Sequence, residues 1–228
     1  MKVNDRHCSF YYIEDDGHGE IGFDSPKTAL LVVDMQNGFV RRPRLADPTP
    51  KDVEHAERWE QFYLAMDETV IPNNARLLEA FRSREMSVNY AAIVSQKKDG
   101  SDRALVQRSS GFNNLFLPLG SHDAAMADEL APRDDELVFM KTTDSAVAGT
   151  NMAMLFRNMG IDTVVVSGVY TDQCVSGTVR SLADEIFKVW LVEDATRGGT
   201  QEITDFELSI LNNIYCHVVT TDEVLSAL

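Results

Sequence analysis

The chain has 228 residues, of which 44% are hydrophobic and 25% are charged, so it can bury the core of one large domain or two small ones. Its 36 acidic and 21 basic residues give a net charge of −15, the opposite of the balance that a nucleic-acid-binding protein needs. No apolar run approaches the roughly 20 residues that span a bilayer, and residues 1–6 lack the apolar region of a signal peptide. We therefore expect a cytoplasmic protein with neither a nucleic-acid nor a membrane partner.

Short apolar runs alternate with helical patterns along the chain. Strands are predicted at 29–33, 87–94, 136–140, 163–167, 189–192 and 216–220. Helices are predicted at 53–66, 68–84, with a break near Pro72, 151–159, 173–185 and 202–213, and residues 222–228 close the chain. Near-continuous apolar strands separated by helices are typical of a parallel sheet covered on both faces. We predict one α/β domain over residues 25–228, a doubly wound three-layer α/β/α sandwich with a six-stranded, mainly parallel sheet. Residues 1–24 are predicted to be a polar N-terminal extension.

Three reactive side chains lie at the carboxyl ends of predicted strands. Asp34 ends the first strand, Lys141 follows the third, and Cys174 lies in the segment after the fourth, at the start of a helix. Ligands of open parallel sheets bind beyond the carboxyl ends of the strands. We therefore expect the three side chains to meet at one edge of the sheet.

These three residue types together can hydrolyse an acyl–nitrogen bond. A cysteine nucleophile must lose its proton, and we expect the helix start and the Lys141 ammonium to lower the pKa of Cys174. Asp34 can accept the thiol proton and later return it to the departing nitrogen. Backbone N–H groups of residues 168–174 can supply an oxyanion site.

The other two cysteines, Cys8 and Cys216, have no CxxC spacing with each other or with Cys174. The chain therefore predicts neither a disulfide framework nor a structural zinc site. We expect Cys216, in an apolar run, to be a small buried hydrophobic side chain and Cys8 to be a loose thiol of the tail.

The segments around the three reactive residues resemble motifs of the isochorismatase-like hydrolase superfamily. They are LVVDMQNGF at 31–39, VFMK at 138–141, VSGVYTDQCV at 166–175 and LVEDA at 191–195, and they occur in the family's order from about residue 28 to the C-terminus. The segment 166–175, which resembles the nucleophile loop, is the most specific of them. The resemblance implies a Rossmann-like α/β/α fold and a catalytic triad of Asp34, Lys141 and Cys174.

The same resemblance implies details of the substrate site. A non-proline cis peptide is expected at Val169–Tyr170, and the backbone N–H groups of Tyr170 and Cys174 are the implied oxyanion donors. Phe39 would line the pocket, the alternative being an ordinary aromatic residue of the core. Because neighbouring subunits often complete pockets in this fold, we expect a homodimer or homotetramer.

The sequence differs from the motifs of individual branches of the superfamily, and these differences limit which metal and substrate are expected. Nicotinamidases hold a metal with an aspartate and histidines after the second strand, but residues 94–99, VSQKKD, contain no histidine. His55, His122 and His217 are scattered without ligand spacing. We therefore predict no metal and no cofactor.

Two further branches differ from this chain near the triad. Isochorismatases proper, which cleave a vinyl ether, replace the nucleophile by a residue such as glycine, whereas this chain retains Cys174. Those enzymes and the ureidoacrylate hydrolases carry an arginine and a tyrosine after the lysine, where this chain has Thr143 and Asp144. An arginine for a substrate carboxylate is thus missing there, and Arg103 and Arg108 are the candidates to replace it.

The leading hypothesis is an amidase or ureide hydrolase that acts on a small amide through a thioester, similar to biuret, ureidoacrylate and carbamoyl-amine hydrolases. One alternative is vinyl-ether hydrolysis by Asp34 without the thiol, and another is a non-catalytic binding protein on the same fold. The insertion at 43–66, which contains Trp59, Phe62 and Tyr63, is either a lid or oligomer contact, or a helix packed on its own domain.

Overall fold

The structure is a computed structural model that describes residues 6–13, 24–43, 45–108 and 114–228. Its centre is a six-stranded sheet in the order β3-β2-β1-β4-β5-β6, and every neighbouring pair of strands is parallel. The strands are β1 (Thr28–Val33), β2 (Ser87–Ile93), β3 (Leu137–Lys141), β4 (Thr163–Val169), β5 (Lys188–Arg197) and β6 (His217–Val219). The predicted six-stranded parallel sheet is confirmed.

Helices cover both faces of this sheet. They are α1 (Asn37–Val40), α2 (Pro50–Ala65), α3 (Ile71–Ser83), α4 (Met152–Asn158), α5 (Ser176–Asp184), α6 (Gln201–Leu211) and α7 (Thr221–Ala227). Residues of α2, α3 and α7 form one hydrophobic core, and residues of α4, α5 and α6 form the other. The three-layer α/β/α sandwich is therefore confirmed.

The central strand β1 shows why the fold follows from the sequence. Leu30 and Val32 face the first core, whereas Ala29, Leu31 and Val33 face the second. A strand places successive side chains on opposite faces of the sheet. Because helices cover both faces, all five side chains are fully buried. Each buried Val or Leu contributes about 1.5–3 kcal/mol, so an uninterrupted apolar run fixes this strand at the middle of the sheet.

Two predicted boundaries were wrong. The expected break near Pro72 does not occur, because a π-helical turn at Met66–Val70 joins α2 to α3 and Pro72 lies in the first turn of α3, where a missing N–H is tolerated. Strand β5 continues five residues past Val192 to Arg197. A register shift lets it pair again with β4, Thr196 opposite Gly168, so polar residues join the strand.

Part of the predicted N-terminal extension lies outside the described residues, which include only 6–13 and 24 of residues 1–24. The described part is attached to the domain: Arg6 forms ion pairs with Glu193 and Glu223, and Nε2 of His7 lies 3.0 Å from Oε2 of Glu193. Within the described ranges, the structure has no helix with the length and apolar character needed to cross a membrane.

Candidate active site

Asp34 is the first residue after β1, at the carboxyl edge of the sheet. Its backbone has a φ of 50°, which is unusual for a residue other than glycine. Its side chain is 1% exposed, and Oδ1 accepts a hydrogen bond from the backbone N–H of Ile93 at 3.0 Å. The end of β2 therefore orients one oxygen of the carboxylate and leaves the other for a different partner.

Gln36 supports the same contact, a role that the sequence did not reveal. Its side chain is fully buried, and its Oε1 accepts from the backbone N–H of Ile93 at 2.9 Å. Its Nε2 donates to the carbonyl oxygens of Ile93 at 3.0 Å and Ala124 at 2.8 Å. Gln36 thus fixes the backbone against which Asp34 rests.

Lys141 is the last residue of β3, and its side chain is fully buried. The Nζ atom lies 2.7 Å from Oδ2 of Asp34, 3.1 Å from the carbonyl oxygen of Thr143 and 3.4 Å from Sγ of Cys174. An ammonium group has three N–H donors, and each has an acceptor here. The ammonium therefore joins the carboxylate to the thiol.

Cys174 lies in the π-helical turn Thr171–Val175 that leads into α5. The turn follows β4, and the peptide bond between Val169 and Tyr170 is cis. Gly168 has a φ of 111°, and a Cβ at that position would collide with the backbone carbonyl oxygen of Val33. The end of β4 therefore contacts the end of β1 backbone to backbone, which brings Cys174 to Asp34.

Burial is the largest single influence on the pKa of each group in this cluster. It raises the pKa of Asp34, against the opposing effects of Lys141 and of hydrogen bonds from Cys174 and Ile93. Burial opposes the charged form of Lys141, but the Asp34 carboxylate and Cys174 outweigh it and raise the pKa of Lys141. The cluster therefore contains a basic carboxylate beside a stable ammonium.

The thiol differs from the sequence-based expectation. Burial and the Asp34 carboxylate raise the pKa of Cys174 well above its usual range, although Lys141 acts in the opposite direction. The expectation of a lowered thiol pKa was therefore wrong, because the sequence gives no measure of how deeply the sulfur is buried. The resting cysteine is a protonated thiol beside a carboxylate that can take its proton.

The thiol opens into a cavity of about 130 Å³. The cavity is lined by Asp34, Phe39, Ile93, Gln107, Leu115, Asp144, Val169, Tyr170, Gln173 and Cys174. Phe39 therefore lines the pocket, and its ring meets that of Tyr170 edge to face at 5.8 Å. The structure thus brings together Asp34, Lys141, Cys174, Tyr170 and Phe39, with Lys141 in contact with the thiol and outside the cavity lining.

The insertion at 43–66 supplies the support for Tyr170. Its helix α2 packs on its own domain, where Phe62 and Tyr63 are buried in the first core. The rings of Trp59 and Phe62 lie 5.8 and 5.3 Å from the ring of Tyr170. Helix α2 is thus packed on its own domain, and its aromatic side chains back one wall of the cavity.

Neither arginine candidate is among the residues that line the cavity. Arg103 is occupied elsewhere: it donates to the carbonyl oxygens of Gly100, Gln107 and Leu115 at 3.0, 3.2 and 2.7 Å. Its guanidinium also lies over the ring of Phe116. Arg103 therefore stabilises the conformation of the segment after β2, and its guanidinium is not available to bind a substrate carboxylate in the cavity.

Gln107, carried by that segment, was missed by the sequence reasoning. It is 3% exposed and lines the cavity. It lies in a single 3₁₀-helical turn, Leu105–Arg108, which is too short for a periodic pattern to indicate burial. Among the described residues, no group of three or more His, Cys, Asp or Glu side chains could hold a metal ion.

Comparisons with known proteins give the family of this chain. The isochorismatase domain family model matches residues 28–223. The chain is 28% identical over 208 residues to N-carbamoylsarcosine amidase from Arthrobacter sp., covering 85% of this chain and 76% of that protein. It is 26% identical over 209 residues to ureidoacrylate amidohydrolase from Methylorubrum extorquens, covering 86% of this chain and 80% of the relative.

A solved structure shows the same similarity. The crystal structure of N-carbamoylsarcosine amidase from Thermoplasma acidophilum matches with a TM-score of 0.63 and 26% identity, over 86% of this chain and 97% of that one. The family match spans more than half of the chain and includes all three residues of the buried cluster. The chain therefore belongs to the isochorismatase family of hydrolases.

Proposed function

We propose that this protein hydrolyses a carbon–nitrogen bond of a small amide or ureide by covalent catalysis at Cys174. The observation that carries the proposal is the contact of the Lys141 ammonium with both the Asp34 carboxylate, at 2.7 Å, and the Cys174 sulfur, at 3.4 Å, beside an open cavity. The two relatives named as an amidase and an amidohydrolase support the same class of reaction.

The first half-reaction forms a thioester. Sγ of Cys174 attacks the carbonyl carbon while Asp34 takes the thiol proton, and Asp34 then donates that proton to the nitrogen as the C–N bond breaks. The raised pKa of Asp34 suits it to this transfer. Since the pKa of Cys174 is also raised, proton transfer accompanies attack, and no standing thiolate is needed.

The second half-reaction consumes water. Asp34 takes a proton from a water molecule as the oxygen attacks the thioester carbon, and the proton returns to sulfur as the C–S bond breaks. Lys141 stays protonated throughout and offsets the negative charge that passes between Asp34 and Cys174. We propose the backbone N–H groups of Tyr170 and Cys174 as donors to the oxyanion, because both residues line the cavity.

A screen against amides and ureides, with ammonia release as the readout, tests the proposal. Wild type should release ammonia from at least one compound, and Cys174→Ala should not. Intact-mass measurement on stalled wild-type enzyme should show an acyl adduct that maps to Cys174. Substantial hydrolysis by Cys174→Ala would disprove the covalent mechanism and favour the vinyl-ether alternative, which runs without a thiol.

Assembly into a homodimer or homotetramer remains a separate proposal. In the family, a neighbouring subunit can complete the pocket wall, and the cavity of this chain is partly open. Analytical ultracentrifugation at several concentrations tests it, and a monomer that is active under assay conditions would contradict it.

A further inference from the structure

We infer that Gln107 and Asp144 form a specificity subsite beside the Cys174 thiol, and that this subsite takes uncharged or cationic ureides and amides and disfavours substrates with a carboxylate. The inference rests on the proposed hydrolysis of a C–N bond and goes further, because it names the charge class of the substrate. Both residues line the cavity into which the thiol opens.

Gln107 supplies an amide group at the cavity. Its backbone is fully engaged: the N–H donates to the carbonyl oxygen of Ala104 at 3.0 Å, and its carbonyl oxygen accepts from Arg103 at 3.2 Å. Its side chain lines the cavity, and the residue as a whole is 3% exposed. A primary amide carries both N–H donors and a carbonyl acceptor. An amide or urea in the cavity offers the complementary carbonyl acceptor and N–H donor.

Asp144 supplies an unpaired negative charge at the opening. Its Oδ1 lies 3.8 Å from Sγ of Cys174, and the described part of the chain gives it no ion pair. The residue is exposed, so the carboxylate stands at the mouth of the cavity. An ionised carboxylate only accepts hydrogen bonds. A group bound next to the thiol on this side must therefore present N–H donors.

The charges around the thiol sum to a negative value. Lys141 is fully buried and paired with Asp34 at 2.7 Å, so these two residues cancel. Among the described residues that line the cavity, none is a lysine or an arginine, which leaves Asp144 without compensation. Two unit charges a few ångströms apart near a protein surface change a rate or affinity by about tenfold or more. A substrate carboxylate would be repelled here, and an ammonium would be attracted.

Thiol reagents of different charge can measure the electrostatic potential at Cys174 even though the substrate is unknown. We would treat the protein with 2-aminoethyl, methyl and 2-sulfonatoethyl methanethiosulfonate and follow modification of Cys174 by peptide mass mapping. Each rate is divided by the rate of the same reagent with a free small thiol. Wild type should favour the aminoethyl over the sulfonatoethyl reagent by about tenfold or more, and Asp144→Asn should reduce this ratio nearly to one.

A surface acid provides the matched control. Asp135→Asn removes the same charge from an exposed position outside the cavity, and the wild-type ratio should persist in it. An equal ratio in wild type and Asp144→Asn would overturn the inference. So would a wild-type rate that is as high for the sulfonatoethyl reagent as for the aminoethyl reagent.

Turnover of three ureas of similar size tests the same subsite and separates it from the proposed function. Cationic 2-aminoethylurea and neutral propylurea should have a higher kcat/KM than anionic N-carbamoylglycine, and Asp144→Asn should narrow the difference. Gln107→Leu should raise KM for propylurea about tenfold while the reagent ratio stays at its wild-type value. An unchanged KM would overturn the role of Gln107.

The two proposals fail in different ways. Hydrolysis of the ureas without a charge preference would refute the subsite and leave the hydrolase intact. A clear charge ratio at Cys174, with no turnover of any urea or amide, would refute the hydrolase and leave the charge of the cavity established.

Discussion

The two buried cysteines, Cys174 and Cys216, have nearly the same bulk environment and different neighbours. They are 6% and 3% exposed, and both belong to the second hydrophobic core. Burial raises the pKa of each thiol above its usual range. Neither burial nor the direction of the pKa shift therefore separates a nucleophile from a core side chain.

The charged neighbours do separate them. Cys174 lies beside the buried pair of Asp34 and Lys141, whereas the charges that act on Cys216 come from Arg180 and Glu207, which pair with each other at 3.2 Å and are partly exposed. A carboxylate that can take a proton, held by a buried ammonium, distinguishes the first thiol. The catalytic assignment therefore depends on the pair rather than on the cysteine alone.

Replacing each cysteine by alanine should give the largest difference in kcat between the two sites. Cys174→Ala should lower kcat by about 10⁴-fold or more, because covalent catalysis has no substitute nucleophile. Cys216→Ala should keep kcat within about twofold and cost about 1 kcal/mol of stability. Steady-state kinetics and urea unfolding of both variants measure this, and equal losses of kcat would contradict the assignment.

Removing the Asp34 carboxylate should have opposite effects on the alkylation rate of Cys174 and on turnover. Asp34→Asn should lower kcat by about 10²–10⁴-fold, since the amide neither takes nor returns a proton. It should also lower the pKa of Cys174, because the Asp34 carboxylate raises that pKa. Faster alkylation of Cys174 by iodoacetamide at pH 7, together with lost turnover, is the expected result. Slower alkylation would show that Asp34 does not act on the thiol.

Removing the ammonium should shift the thiol the other way. Lys141→Met should raise the pKa of Cys174 further and slow its alkylation, because Lys141 lowers that pKa. It also leaves the Asp34 carboxylate buried and unpaired, which costs about 3–5 kcal/mol. The double variant Asp34→Asn with Lys141→Met should recover part of this loss in urea unfolding. A double variant no more stable than Lys141→Met would contradict a coupled pair.

The pH dependence offers the finest distinction. The raised thiol pKa means that the thiolate of Cys174 accumulates only above the usual range of about 8.5. Its alkylation rate should therefore increase about tenfold per pH unit through pH 8–9 without a plateau. Turnover should instead fall on the acid side at a pH above the usual aspartate value of about 3.9, where Asp34 becomes protonated. A thiol plateau below pH 8.5 would contradict the buried protonated thiol.

Regular patterns allowed most of the fold to be predicted. The apolar runs of β1 and β4 indicated central parallel strands, and strand ends indicated where Asp34, Lys141 and Cys174 would meet. The bulged continuation of β5 was missed because Glu193 and Asp194 interrupt its apolar pattern. A polar residue can remain in a strand when pairing with the neighbour resumes beyond it.

The remaining features of the site could not be predicted from the sequence, because they depend on how deeply side chains are buried and on short segments that lack a helical or strand pattern. Gln107 reaches the cavity from a segment without periodicity, and Trp59 reaches Tyr170 across the fold. The direction of the Cys174 pKa shift follows from burial that only three-dimensional packing defines. The quaternary state and the N-terminal extension outside the described residues stay predictions from the sequence.

The order of the strands has a consequence for folding. Asp34, directly after β1, and Lys141, at the end of β3, are 107 residues apart in the chain, and β2 lies between those strands. Parallel strands pair only after a long crossover closes, so such contacts form slowly. We expect the hydrolase to gain activity in the last steps of folding, when the whole sheet is present. A refolding experiment should therefore recover helical signal well before it recovers turnover, and a fragment ending before β4 should be inert.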